Sequence, residues 1–103
     1  MTELRDFSPA ELRDAIARLE VVLVDVREPA EYHNARIEGA VLRPLSQFDP
    51  TDLPPGAIVL QCGVGKRSAM AAELCNRAGV KVAGHLAGGL SAWANAGLPL
   101  QHG

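Results

Sequence analysis

The residues best suited to chemistry are Cys62-Gly63-Val64-Gly65-Lys66-Arg67-Ser68, in which a thiol is followed by two glycines, two cations and a hydroxyl. Glycines let successive backbone N–H groups turn toward a common centre, and a helix N-terminus adds partial positive charge, so such a loop can cradle an anion. Lys66 and Arg67 add formal charge at its rim. The same surroundings favour thiolate over thiol, and the thiolate is the nucleophile. An unperturbed cysteine is only about 3% ionised at pH 7, whereas a downward shift of about two units, worth roughly 2.7 kcal/mol, makes it mostly thiolate. We therefore expect Cys62 to be a nucleophile whose pKa the loop lowers.

Other glycine-loop chemistries fail on the residues. A Walker A loop needs glycine at position 60 and Ser or Thr after the lysine, where Leu60 and Arg67 stand. The dinucleotide fingerprint lacks its third glycine at Ser68, and no acidic residue near Ala83 could hold a ribose. A metal site would have to draw on Cys62, Cys75, His33, His85 and His102, none of which share the short spacing of zinc ligands, so no metal is expected. Cys75 falls on an apolar helix stripe and reads as core. The three histidines have no partner pattern and read as surface or satisfied loop positions. Trp93 reads as core or as a pocket wall.

The elements that must hold the loop alternate. Ser8-Pro9-Ala10-Glu11 carries an N-cap, a first-turn proline and the glutamate of a capping box, so a helix starts there, with Leu12, Ala15, Ile16 and Leu19 as its buried stripe. The unbroken run Val21 to Val26 predicts a strand covered on both faces, with Asp25 its single charge. Glu28 to Tyr32 suits a short helix, Gly39 to Leu42 a short strand and Ala57 to Gln61 a second buried strand that ends at Cys62. A helix follows from about Ser68 to Ala78, with Met70, Ala71, Leu74, Cys75 and Ala78 inward and Gly79 as its stop. Val80 to Leu86 predicts another strand, and Leu90 to Ala96 a last helix ended by Gly97 and Pro99. Such alternation predicts an α/β fold with a mostly parallel central sheet flanked by helices on both faces, and ligands beyond the carboxyl ends of the strands. Cys62 stands at such an end. Asp25 reads as a local support that accepts from loop N–H groups or pairs with Arg67, and Arg27 as an ion-pair partner of Glu28 or Glu31.

Composition bounds the rest. The 103 residues are 48% hydrophobic and 21% charged with a formal charge of −2, which predicts one globular domain over residues 1–103 and argues against a disordered chain. The near-neutral balance argues against nucleic acid as partner. The polar opening MTELRD and the lack of a long apolar run predict a cytoplasmic protein with no membrane partner.

Several segments together resemble the rhodanese-like sulfurtransferases. Val24-Asp25-Val26-Arg27-Glu28 followed by Glu31-Tyr32 resembles the family's DVRE…EY segment, and Ile37-Glu38-Gly39-Ala40 its I-P-G-A segment. Cys62 to Arg67 with Ser68 is similar to the active-site loop, and Gly88-Gly89, Trp93 and Gly97-Leu98-Pro99 to the closing segment. The resemblance implies a rhodanese-like fold and a thiosulfate sulfurtransferase. In it Cys62 would take a sulfane sulfur from thiosulfate or a similar donor as a persulfide, then pass it to cyanide or another thiophilic acceptor. Gly63, Val64, Gly65, Lys66 and Arg67 would bind the donor, with Asp25, Arg27 and Ser68 supporting the loop. No metal or organic cofactor is implied. A partner protein could serve as donor or acceptor, which would make the chain a persulfide carrier. The related phosphatases and arsenate reductases carry a C-x5-R loop, one residue longer than the C-x4-R of Cys62 to Arg67, and the shorter loop favours attack at sulfur over attack at a tetrahedral oxyanion.

Overall fold

The computed structural model describes residues 4–103. Chain order is β1 (Asp6–Phe7), α1 (Pro9–Ala17), β2 (Val22–Asp25), α2 (Pro29–Asn34), β3 (Ala35–Arg36), β4 (Val41–Leu42), a 3-10 turn at Leu45–Gln47, β5 (Ile58–Gln61), α3 (Lys66–Arg77), β6 (Gly84–Leu86), α4 (Gly89–Asn95) and β7 (Gln101–His102). The central sheet has the order β1-β6-β5-β2-β4, and every pairing in it is parallel. The α/β fold predicted above is therefore the one observed. A separate antiparallel ribbon joins β3 to β7.

Local sequence explains most boundaries. The Ser8 hydroxyl accepts from the Glu11 N–H (3.1 Å) while the Glu11 carboxylate accepts from the Ser8 N–H (2.9 Å), which completes the capping box that starts α1. α1 is shorter than its apolar spacing predicts. It stops at Ala17, and Leu19 lies beyond the cap in the left-handed region (φ 57°), 91% exposed rather than buried. β6 is likewise shorter than the predicted Val80 to Leu86, because its ladders to β1 and β5 engage only Gly84 to Leu86. Gly84 is obligatory there, since a Cβ would run into the Arg5 carbonyl just before β1.

The sheet separates two apolar clusters, and residues alternate between them along each strand. Leu23 and Val59 face one cluster with Leu12 and Ala15 of α1 and Trp93 of α4. Val24, Ile58 and Leu60 face the other with Ala71 and Ala72 of α3. α3 meets the sheet through small residues: Ser68, Ala71, Ala72 and Cys75 are buried, whereas Met70 and Leu74, expected inward, are 52% and 40% exposed. Trp93 is a core residue whose indole N–H donates to the Pro99 carbonyl (2.9 Å).

Candidate active site at the carboxyl end of β5

β5 delivers Cys62 to the carboxyl edge of the sheet with none of its surface exposed. The chain then turns through Gly63, Val64 and Gly65 into α3, with Gly65 as N-cap at φ 101°. That conformation is natural only to glycine, and a Cβ would also approach the Gly88 N at 3.3 Å. The turn aims the Gly65 N–H at the Cys62 sulfur, 3.1 Å away.

The carbonyls of the loop are held from behind by α4. The N–H groups of Leu90 and Ser91 donate to the carbonyls of Cys62 (2.8 Å) and Gly63 (3.0 Å). Gly89 permits this contact, because a Cβ on it would lie 2.5 Å from the Cys62 carbonyl oxygen. With their carbonyls turned outward to α4, the loop peptides are free to present N–H groups inward. The Gln61 side chain adds a second donor to the Cys62 carbonyl through Nε2 (2.8 Å), and its Oε1 is buried without a partner among the described residues.

Burial pushes the Cys62 thiol up, but the Ser68 hydroxyl and the N–H groups of Ser68, Gly65 and Val64 pull it further down, leaving the pKa below the ordinary cysteine value. The direction agrees with the expectation from sequence. Ser68 is fully buried, with its Oγ 3.6 Å from Sγ. Lys66 is exposed in the first turn of α3, and Val64 is 68% exposed at the loop tip.

The charged residues pair differently from the sequence reading. Asp25 bonds Arg27 rather than Arg67: its carboxylate accepts from the Arg27 N–H (2.9 Å) and guanidinium (2.8 Å), and both side chains are buried. Arg27 also donates to the Ala35 carbonyl (2.6 Å), so the pair ties the end of β2 to the segment after α2. Arg67 forms a two-pronged bridge to Glu31 (2.7 and 2.9 Å). That hydrogen bond holds the Glu31 carboxyl at about 2, and the Arg67 guanidinium correspondingly higher than usual. Glu28 instead accepts from the Ser46 hydroxyl (2.6 Å). Adding a Cβ at Gly63 would bring it 3.3 Å from the Arg67 guanidinium, which places that cation beside the loop.

Sequence reasoning missed His85. It is buried on β6 beside the site, with Nδ1 2.9 Å from the Ser68 Oγ and Nε2 2.9 Å from the Asp6 carboxylate. The signal available was alternation: in an apolar strand, a histidine next to Leu86 must face the opposite cluster and needs polar partners there.

Comparison with known proteins places this geometry in context. Residues 8–96 match the rhodanese-like domain. The chain is 45% identical over 82 residues to an uncharacterized protein of Synechocystis, covering 77% of this chain and 46% of that one. It is 40% identical over 93 residues to the probable adenylyltransferase/sulfurtransferase MoeZ of Mycobacterium tuberculosis, covering 84% of this chain and 24% of that one. These two relatives are thus more than twice as long as the segment they share with it. A sulfurtransferase of Allochromatium vinosum is 34% identical over 84 residues, covering 79% of this chain and 78% of its own. Among solved structures, a rhodanese-related protein of Thermoplasma volcanium superposes with a TM-score of 0.83 at 27% identity, over 94% of this chain and 97% of that one. A protein of unknown function from Rhodopseudomonas palustris, described as a possible tyrosine phosphatase, superposes with a TM-score of 0.81 at 26% identity, over 95% and 85% of the two chains. With residues 8–96 matched, and a relative of 34% identity covered over most of its own length, this chain belongs to the rhodanese-like domain family.

Proposed function

We propose that the chain transfers a sulfane sulfur through a persulfide on Cys62. The observation that carries this is the buried sulfur under the N-terminus of α3, with the Gly65 N–H pointed at it and its pKa lowered. The Cys62 thiolate attacks the outer sulfur of thiosulfate or a similar donor. A new S–S bond forms, the donor's S–S bond breaks, and sulfite leaves with the electron pair. Cyanide or another thiophilic acceptor then attacks the outer persulfide sulfur, and Cys62 departs as thiolate. Loop N–H groups from Gly63 to Arg67 hold the anionic donor and the persulfide, with Lys66 and Arg67 adding positive potential. Ser68 supports the loop from the first turn of α3, and the Asp25–Arg27 pair braces the end of β2 beside it. Because Cys62 is covered, uptake requires the loop to give way, and its two glycines make that movement cheap.

A second reading, in which a partner protein loads the cysteine, is supported by the exposed apolar Val64 at the loop tip and by the named sulfurtransferase MoeZ, in which the shared segment is a quarter of the chain. Oxyanion chemistry, as in a phosphatase, fits less well with the short loop from Cys62 to Arg67.

Intact-protein mass tests the proposal. Incubation with thiosulfate should add one sulfur atom, subsequent cyanide should remove it, and Cys62→Ser should add none. Loading by a protein persulfide but not by thiosulfate would favour the carrier. No loading from either donor would overturn sulfur transfer and bring phosphate and arsenate substrates forward.

A further inference from the structure

The residues of one register row across the sheet are Val41, Val24, Leu60, His85 and Asp6, so all five side chains point to the α3 face. Three are aliphatic, and Val24 and Leu60 pack there against Ala71 and Ala72. His85 breaks the pattern, and its two ring nitrogens are both engaged at hydrogen-bond distance: Nδ1 by Ser68 Oγ and Nε2 by Asp6 Oδ1, each at 2.9 Å. Ser68 Oγ is in turn 3.6 Å from the Cys62 sulfur. An unbroken chain therefore runs from the thiol through Ser68 and His85 to Asp6, whose side chain is 70% exposed.

The chain has a direction. Asp6 as carboxylate only accepts, so Nε2 carries a hydrogen and, in the neutral ring, Nδ1 is an acceptor. The Ser68 hydroxyl has two acceptors in reach, the Gly65 carbonyl at 3.1 Å and Nδ1 at 2.9 Å, and in the relay it donates to the nearer Nδ1 while Oγ accepts from the Cys62 thiol. We propose that Ser68, His85 and Asp6 form a proton relay that draws the proton from the Cys62 thiol and holds it on the imidazole while the sulfur is a thiolate. The thiol proton passes to Ser68 Oγ as the Ser68 hydroxyl proton passes to His85 Nδ1. A neutral thiol and a neutral imidazole become a thiolate and an imidazolium, with the carboxylate of Asp6 balancing the new cation. Ser68 ends by donating to the sulfur and accepting from Nδ1–H. The exposed Asp6 end opens the relay to exchange with water.

Other charges around the two groups are engaged elsewhere or exposed. Arg67 of α3 is bridged to Glu31 of α2, and Asp25 of β2 to Arg27. Arg5, just before β1, lies over the Phe7 ring and against Glu11 of α1 (3.5 Å), and Lys66 is exposed in the first turn of α3. Among the described residues, His85 is thus the one titratable group linked to Cys62 through a single hydroxyl. It acts through Ser68, as a positioning residue.

The relay concerns the thiolate used in the sulfur-transfer reading, but its test needs no sulfur donor. The rate of Cys62 alkylation by iodoacetamide, read from the modified peptide, is followed against pH in the wild type, His85→Gln, Ser68→Ala and Asp6→Asn. His85→Gln and Ser68→Ala should move the midpoint up by about one unit, so that alkylation below both midpoints slows roughly tenfold while the high-pH limit stays. Asp6→Asn should slow it about threefold and add nothing in a His85→Gln background. A residue that only packs would alter stability without moving the midpoint, so profiles that superimpose on the wild type overturn the relay. Asp6 is exposed, which keeps one variant safe from misfolding. As an independent readout, the imidazole 15N titration of His85 in the wild type should shift when Cys62 is alkylated, and a titration indifferent to alkylation overturns the proposal. If thiosulfate loads no sulfur but the midpoint still moves, the relay stands and the sulfur-transfer reading falls.

Discussion

Cys62 and Cys75 are both free, both wholly buried and both packed near α3, yet their acidities move in opposite directions. Burial pushes the Cys75 thiol up, as it does any group whose charged form loses water. Cys62 feels the same burial, and the hydroxyl and N–H donors around it more than reverse the effect. The difference is therefore one of partners rather than of depth. A strand end followed by a helix start supplies those donors, whereas the last turn of a helix, where Cys75 lies, has already used its N–H groups on preceding carbonyls.

The sharpest break in that comparison is exchange of the thiols one at a time. Cys62→Ser should abolish sulfur loading altogether, while Cys75→Ala should keep loading within about twofold and cost about 1 kcal/mol of stability. Loading measured by mass, beside a denaturant melt of each variant, decides it. Loading that survives in Cys62→Ser would mean that Cys75 is the acceptor and that donor count does not select the nucleophile.

Next in size is a change that touches neither thiol. Gly89→Ala places a Cβ 2.5 Å from the Cys62 carbonyl oxygen and 2.6 Å from Gly63, and at φ 61° the backbone is strained as well. The loop must shift, and displacement of this order is expected to lower kcat/KM for thiosulfate about a hundredfold. Gly97→Ala is the control. Its φ of 76° imposes similar backbone strain, but nothing lies within 4 Å of the added carbon, so it should cost about 1 kcal/mol of stability and leave turnover unchanged. Equal loss of turnover in both variants would mean that strain, and not contact with the loop, is responsible.

The same contrast between local and distant partners explains what the sequence disclosed. The strand, glycine loop and helix that carry Cys62 are contiguous, so residue types and spacing sufficed to place them, as did the capping box at Ser8 and Glu11. Partners far apart in the chain were not legible. His85 and Asp6 are 79 positions apart, and Arg67 and Glu31 are 36 apart, so nothing local pointed from one to the other. Apolar spacing also misled where the neighbours decide burial. On α3 the close approach to the sheet selects Ser68, Ala71 and Ala72, and leaves the larger Met70 and Leu74 outside. Leu19 matched the helical period of α1 but follows a cap at Arg18 that had already ended the helix.

The smallest effect separates the two ion pairs beside the loop. Asp25 and Arg27 are buried, so losing either charge leaves the other uncompensated. Glu31 and Arg67 are 41% and 34% exposed, and water screens much of what the short contacts would otherwise contribute. Glu31→Gln should therefore cost only about 1 kcal/mol at pH 7, and less in high salt. The pH dependence carries a definite sign. The folded-state value of Glu31 is held at about 2, below the usual 4.5, so its contribution is fully present above 4.5 and is lost as pH falls through about 2. Chemical denaturation of wild type and Glu31→Gln at several pH values should give curves separated by a constant gap above pH 5 that closes on acidification. A gap that persists undiminished to the lowest pH at which the chain stays folded would show that Glu31 acts by packing. The rim charge would then have no electrostatic part in holding Arg67 beside Gly63.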